Sequence, residues 1–244
     1  MELKCTKMEG CGNDFIVVDY EEAKGLELSK LTIELCDRHF GVGADGAIFV
    51  KQNPLEFIYY NSDGSFSSFC GNGMRCFAKY VIKNRIVEED EFDVICKDWI
   101  VHCEICSDEV IVQIPEISSE MTKDGEIISV CGSKHKVVEV ENLGSLEELQ
   151  SDDYNLNYVE WKNESEIKIK TMERGAGLTL ACGSGSIASA WKMHKNKKCL
   201  EKILVKNPGG IVKIDLKNKK MRGPARIIFE CRIDENAYTS NESA

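Results

Sequence analysis

The 244-residue sequence predicts an α+β protein made of two similar domains. Three observations support this prediction. Most apolar segments are short and alternate with period two, as β-strands do. Helical segments are few, and a Cys-Gly-x-Gly element that leads into a helix occurs once in each half. Because short strands surround single helices and do not alternate regularly with them, the pattern favours an α+β architecture over βαβ units.

The first half begins with an alternating segment that ends at Asp19 and is interrupted by a glycine-containing loop at 10–14. Ser29 is the predicted N-cap of the first helix. Pro115 ends the last alternating segment of this half. The remaining predicted elements are helices at 30–38 and 74–83, strands at 47–50 and 57–60, and a β-meander at 92–114.

A polar, acidic segment at 116–125 marks the predicted domain boundary. We therefore expect an N-terminal domain over residues 1–115 and a C-terminal domain over 116–235. Whether the C-terminal tail returns to the first domain is left open. The predicted elements of the second half are strands at 126–130, 136–140, 154–161, 167–171, 202–205, 210–216 and 225–232, and a helix at 186–194.

Composition excludes several classes of function. The chain has 41 acidic and 31 basic residues, and the resulting net charge of −10 repels nucleic acid and anionic lipid. No apolar run approaches the roughly 18 residues of a membrane span, and the N-terminus lacks the apolar stretch of a signal peptide. We therefore expect a cytoplasmic location, where the 12 cysteines are reduced thiols.

The repeated Cys-Gly-x-Gly element is the strongest functional signal. One copy spans residues 70–73 and begins with Cys70, and the other spans 182–185 and begins with Cys182. Glycines let backbone N–H groups crowd around an anion, and the dipole of the following helix favours negative charge there. The same field lowers the pKa of a thiol and increases its thiolate fraction. Two copies at domain spacing predict two activated thiols beside two anion-binding sites.

Two such thiols can transfer protons on opposite faces of one carbon. If both helix N-termini faced one crevice, N–H groups would grip a substrate carboxylate while one thiolate removed the adjacent Cα proton. The other thiol would then deliver a proton from behind. The expected product is the inverted stereocentre.

Several ordered motifs resemble those of the diaminopimelate epimerase family, and the resemblance covers nearly the whole chain. The matching segments are residues 8–15, 38–46, 61–65, 70–76, 173–175 and 180–185. The resemblance implies an isomerase that interconverts LL- and meso-diaminopimelate without pyridoxal phosphate (PLP), metal or other cofactor, in lysine and cell-wall precursor biosynthesis. It also implies two domains, each a curved antiparallel β-sheet around a central helix, with the active site in the cleft between them.

The resemblance assigns roles residue by residue. Cys70 and Cys182 are the expected acid–base residues, with His135 as a support for Cys70 and Glu173 near the substrate ammonium. The residues expected to hold the reacting amino-acid centre are Asn13, Gly71, Asn72, Gly183 and Ser184. Those expected to grip the distal end are Asn61, Asn155 and Arg174, whose planar guanidinium suits a carboxylate.

One departure from the family pattern concerns the substrate. The family usually has Asn-Pro-His where this chain has Ser133-Lys134-His135, so an amide that contacts substrate is replaced. A related two-cysteine racemase of another amino acid, such as histidine, is therefore an alternative. The expected partner is a small amino-acid substrate, with a homodimer left open and neither nucleic acid nor membrane expected.

Two other classes of function are alternatives. Cys103 and Cys106 form a C-x-x-C pattern that is typical of thiol redox proteins, although an odd spacing on a strand separates the two side chains. A module that binds an amino acid without chemistry is a third alternative. The G-x-G-x-x-G pattern at 41–46 follows a predicted helix and precedes a strand, which is the wrong context for a dinucleotide site.

Overall fold

The structure is a computed structural model that describes residues 2–97, 99–145 and 151–234. The described chain divides into two compact units. Unit 1 contains residues 2–10, 14–110 and 225–234, and unit 2 contains residues 11–13 and 111–224. Among the described residues, no helix is both long and apolar enough to cross a membrane.

Unit 1 is a mainly antiparallel sheet with two helices. Its strands are β1 (Glu2–Gly10), β2 (Asn13–Asp19), β3 (Gly46–Lys51), β4 (Glu56–Asn61), β5 (Phe66–Ser67), β6 (Glu91–Cys96) and β7 (Trp99–Cys106), and β8 (Glu109–Gln113) begins in it. Its helices are α1 (Leu28–Cys36) and α2 (Gly71–Lys83), and the late strand Arg226–Asp234, numbered β18 below, completes it.

The sheet of unit 1 surrounds α2. This helix packs against β1, β3, β4, β7 and the late strand, while α1 packs against β3 and β4. The face of α2 turned toward the sheet is apolar, with Met74, Phe77 and Val81 fully buried. The pairs β2–β3 and β4–β6 are parallel, whereas β3–β4, β4–β5, β6–β7 and the pairing of β1 with the late strand are antiparallel.

Unit 2 repeats this arrangement. Its strands are β9 (Ile117–Thr122), β10 (Gly125–Val130), β11 (Ser133–Glu139), β12 (Asn155–Asn163), β13 (Glu166–Glu173), β14 (Gly177–Thr179), β15 (Lys202–Asn207), β16 (Gly210–Asp215) and β17 (Lys220–Pro224), and the strand Arg226–Asp234 of unit 1 is then β18. Its helices are α3 (Gly183–Lys195) and a 3-10 turn at Leu143–Ser145.

The pairing in unit 2 matches that in unit 1. Parallel pairs β11–β12 and β13–β15 correspond to β2–β3 and β4–β6, and antiparallel β12–β13 and β15–β16 correspond to β3–β4 and β6–β7. Helix α3 packs against β10, β11, β12, β13, β15 and β16, as α2 does against its own sheet. The predicted α+β fold, with two similar domains and a curved sheet around a helix in each, is confirmed.

The structure differs from several predicted boundaries. Both Cys-Gly-x-Gly helices begin at the first glycine, three residues before the predicted starts, because the cysteine itself is the N-cap. Ser29 is not an N-cap: α1 begins after Glu27, and the Ser29 hydroxyl donates to the Gly64 carbonyl. The polar segment at 116–125 contains β9, whose pairing with β10 compensates for its low hydrophobicity. Short strands β5, β14 and β17 lacked a predictive pattern.

The units also differ from the expected domain limits. The division falls between Val110 and Ile111, so residues 111–115 group with unit 2. Residues Arg226–Asp234 pair with β1 in unit 1. Residue 235 of the expected second domain lies outside the described residues.

Candidate active site

Cys70 is the N-cap of α2. Its backbone is extended (φ −138°, ψ 112°), its carbonyl accepts the first helical hydrogen bond from Met74 N–H at 2.7 Å, and its Sγ accepts from the Gly73 N–H at 3.4 Å. The side chain is half-buried. A helix N-terminus carries partial positive charge, so this contact favours the thiolate form of a capping cysteine.

A buried arginine supports this helix entrance from inside unit 1. Arg75 has 0% exposure, and its Nη2 donates to the Asn72 Oδ1 at 2.9 Å. Asn72 is itself 2% exposed, and the Arg75 Nη1 reaches the Gly71 carbonyl at 3.5 Å. The guanidinium therefore fixes the orientation of an amide that the family resemblance assigns to substrate binding.

Cys182 caps α3 in the same way. Its backbone is extended (φ −120°, ψ 115°), and its Sγ accepts from the Gly185 N–H at 3.3 Å. The Ser184 Oγ lies 3.5 Å from the sulfur, and the Ser186 hydroxyl donates to the Cys182 carbonyl at 2.8 Å. With only 5% exposure, Cys182 is more enclosed than Cys70. Each unit thus presents one thiol within the N–H groups of a helix start.

Gly185 is required by a buried amide beneath the Cys182 helix entrance. A Cβ on Gly185 would lie 2.2 Å from the Oδ1 of Asn157, which has 0% exposure. That oxygen accepts from the Thr171 hydroxyl at 3.0 Å, while the Asn157 Nδ2 donates to the His135 Nδ1 at 3.1 Å. Asn157 therefore connects the start of α3 to β11 and β13.

His135 is a neutral, buried side chain in this network. It has 0% exposure, and burial lowers its pKa to about 4. Because Nδ1 accepts the hydrogen bond from Asn157, the ring proton lies on Nε2, which has no hydrogen-bond partner among the described residues. The role expected for His135 beside Cys70 stays a prediction, since the contacts described for its ring lie within unit 2.

The predicted distal residues Asn155 and Arg174 lie together in unit 2. The Arg174 backbone N–H donates to the Asn155 Oδ1 at 2.8 Å, and the Arg174 side chain is exposed. Glu173 ends β13, is half-buried, and accepts from the Thr179 hydroxyl at 2.6 Å. This arrangement offers a guanidinium and a carboxylate at one end of β13, as an amino-acid ligand would require.

Asn13 and Asn61 lie at strand ends: Asn13 begins β2 and groups with unit 2, and Asn61 ends β4 in unit 1. Asn13 follows the turn at Cys11 and Gly12, where both residues have positive φ, and the chain there packs closely against Gly209 in unit 2. A Cβ on Gly209 would lie 2.0 Å from the Cys11 carbonyl oxygen. In unit 1, the Asn61 Nδ2 donates to the Ser65 Oγ at 3.0 Å, within the turn after β4.

The sequence reasoning did not identify Arg75, Asn157 or Thr171. For Asn157 a signal existed, because it is two residues after Asn155 on a strand and thus shares its face. The available signal for Arg75 was its position, because it is a charged residue in the first turns of a helix face that is otherwise buried.

The redox alternative is disfavoured by the surroundings of Cys103. This side chain is fully buried on β7, and burial raises its pKa well above the ordinary thiol value. Cys106, at the end of the same strand, is half-buried. Cys103 and Cys106 are also three residues apart on one strand, so their side chains lie on opposite faces of the sheet and cannot form a disulfide without disrupting β7. Within the described ranges, no group of three or more His, Cys, Asp or Glu side chains is arranged as a metal site.

Comparisons with known proteins agree with the internal repeat. A family model described as diaminopimelate epimerase matches residues 5–119 and 110–228. A diaminopimelate epimerase from Clostridium perfringens is 34% identical over 268 residues, covering 93% of this chain and 98% of the relative. One from Halothermothrix orenii is 31% identical over 279 residues, covering 96% and 98%.

Solved structures share the fold at low sequence identity. A phenazine biosynthesis protein of the PhzF family from Bacillus anthracis has a TM-score of 0.75 at 12% identity, covering 96% of this chain and 99% of that one. A hydroxyproline epimerase from Agrobacterium vitis, with bound trans-4-hydroxy-L-proline, has a TM-score of 0.65 at 12% identity, covering 97% and 93%.

The fold and the sequence relatives define this protein as an isomerase of the epimerase class. The chain belongs to the diaminopimelate epimerase family.

Proposed function

We propose that the protein inverts one Cα centre of diaminopimelate, from LL to meso, with Cys70 and Cys182 as the two acid–base residues and with no PLP or other cofactor. The reaction would serve lysine and cell-wall precursor biosynthesis. The observation that carries the proposal is the matched pair of helix starts. In each, the cysteine sulfur accepts a hydrogen bond from the backbone N–H three residues later. Family membership supports the substrate.

The proposed chemistry needs one thiolate and one thiol. The thiolate takes the Cα proton, and the C–H electron pair moves into the adjacent carboxylate as an enolate forms. The other thiol then gives its proton to the opposite face of Cα and becomes the thiolate. Backbone N–H groups at Gly71, Asn72, Gly183 and Ser184 are suited to stabilise the carboxylate charge. The cycle leaves the two cysteines with exchanged protonation states.

The remaining predicted residues would select the substrate. In this proposal Asn13 and Glu173 bind the reacting amino acid, and Asn61, Asn155 and Arg174 bind its distal end. The contact between the Asn155 Oδ1 and the Arg174 backbone supports a shared role, because it orders the residue that carries the guanidinium. Replacing Arg174 by Lys should raise the KM for diaminopimelate more than it lowers kcat, since the distal carboxylate is remote from the chemistry.

The test is the conversion of LL- to meso-diaminopimelate in deuterated water, read by NMR, for the wild type and for Cys70→Ala and Cys182→Ala. A general acid or base contributes about 10²- to 10⁴-fold in rate, so each variant should lose inversion by at least that factor and remain folded. Cys76→Ala is the matched control, because Cys76 lies on α2 but faces the core. Near-normal inversion by either test variant would refute the two-thiol assignment.

A second candidate is a two-cysteine racemase of another amino acid, such as histidine. The observation that favours it is Ser133 and Lys134 at the start of β11, where Ser133 is half-buried and Lys134 is exposed. Exchange with histidine or another amino acid, but not with diaminopimelate, would select this candidate. The same two-thiol chemistry would apply.

A further inference from the structure

Unit 1 contains a second pair of cysteines that the proposed chemistry does not use. Cys5 on β1 and Cys231 on β18 are directly opposed in the antiparallel register of these strands. Cys5 is 2% exposed within an apolar cluster that includes Leu3, Ile16 and Val18, and Cys231 packs against the same cluster while half-buried. Both are free thiols.

The register brings the two sulfurs to one face of the sheet. Directly opposed residues of antiparallel strands have Cα atoms about 4.5–5.5 Å apart, and a disulfide needs about 4.4–6.8 Å. The Cys5 and Cys231 thiols interact directly, since each affects the pKa of the other. A disulfide between them therefore requires side-chain rotation and no separation of the strands.

A cavity beside the pair gives access to Cys231. Its volume is about 620 Å³, and both cysteines line it. Charged side chains of both signs surround them: Lys4, Arg85, Arg232, Asp19, Glu22 and Glu230. The three cations and the three anions balance, so the lining favours neither sign of charge in a ligand, and the volume is in the range of small-molecule sites.

We infer that Cys5 and Cys231 form a reversible disulfide by exchange with a small disulfide that enters this cavity. The more exposed Cys231 sulfur attacks the incoming disulfide, forms a mixed disulfide and releases one small thiol. The Cys5 sulfur then attacks Cys231, forms the cross-strand bond and releases the second small thiol. The small disulfide is reduced by two electrons, and both protein protons leave with its thiols or to water.

The bond would join the first and last strands of unit 1. It closes a ring containing nearly the whole chain, and the constraint on the unfolded state grows with loop length. Burial raises the pKa of both thiols, with Cys5 the more strongly affected, so exchange should be slow near neutral pH and faster in alkaline buffer. The inference is independent of the proposed catalytic role of Cys70 and Cys182.

The test is native-state incubation with oxidised glutathione at alkaline pH, followed by thiol blocking, trypsin digestion and mass spectrometry without reductant. We expect a cross-linked species that joins residues 5–7 to residues 227–232, two hydrogens lighter than the separate peptides and lost on reduction. The oxidised protein should also unfold at a higher urea concentration than the reduced protein. Glutathione that remains on Cys231 while Cys5 stays alkylatable would overturn the inference.

Variants separate the two exchange steps. Cys5→Ser should accumulate the glutathione adduct on Cys231, and Cys231→Ser should form neither the adduct nor the cross-link. Cys36→Ser is the matched control, since Cys36 is buried in the same cluster, and it should retain the cross-link. An unchanged urea midpoint in the cross-linked wild type would contradict the stabilisation expected from joining β1 to β18.

Discussion

His135 should make the stability of the protein depend on pH between about 6.5 and 4. Burial holds the folded pKa of His135 near 4, against 6.5 for an ordinary histidine. In this range the unfolded state therefore binds a proton that the folded state does not, and stability falls as the pH falls. One pKa unit corresponds to about 1.4 kcal/mol, so the loss amounts to about 3 kcal/mol.

The assay is the free energy of unfolding in urea, measured from pH 7.5 to pH 4 for the wild type and His135→Gln. Gln cannot titrate, so the wild type should lose about 3 kcal/mol more than the variant across this range. Parallel wild-type and His135→Gln curves, or an NMR titration of the His135 ring centred near 6.5, would refute the reasoning.

Three further predictions follow from buried contacts. Gly185→Ala should destabilise the protein by about 1–3 kcal/mol through overpacking, whereas Gly73→Ala, whose Cβ would meet neighbours no closer than 3.4 Å, should change stability little in the same urea assay. Arg75→Lys should lose the bond to Asn72 and lower kcat/KM by about 10- to 100-fold, as expected for a charge-assisted hydrogen bond; unchanged kinetics would exclude a positioning role. Burial alone would raise the pKa of Asp14, but hydrogen bonds from Arg38 and Lys7 lower it to about 2. About 2 kcal/mol of stability that is present above pH 4 should therefore disappear between pH 4 and pH 2 in the wild type. Asp14→Asn should not show this loss.

The sequence predicts those parts of the fold that depend on local patterns. Alternation located most strands, and the Cys-Gly-x-Gly repeat located both central helices. The predicted starts of these helices are three residues too late, because the cysteine that caps each helix has the sequence context of a loop. Strand β9 escaped prediction because its stability comes from pairing with β10 and not from its own apolar residues.

The site was predictable where motif and helix start coincide, and less so where partners are distant in sequence. Cys70 and Cys182 were found from a four-residue pattern whose physics is local. The Asn157 network joins residues from β11, β12 and β13 to α3, so only the folded strands show that one amide contacts both Thr171 and His135. The Arg75 contact was hidden for another reason: a charge inside a helix is ordinarily read as a solvated face.

The isotopic content at early reaction times tests the central claim most directly. A single diaminopimelate stereoisomer is incubated with the wild-type enzyme in deuterated water, and Cα deuterium is measured separately in recovered substrate and in product. Two thiols on opposite faces predict deuterium in the inverted product while recovered substrate still carries hydrogen. Deuterium appearing equally in both, or product that retains the original hydrogen, would show that a single group moves the proton and would contradict the account.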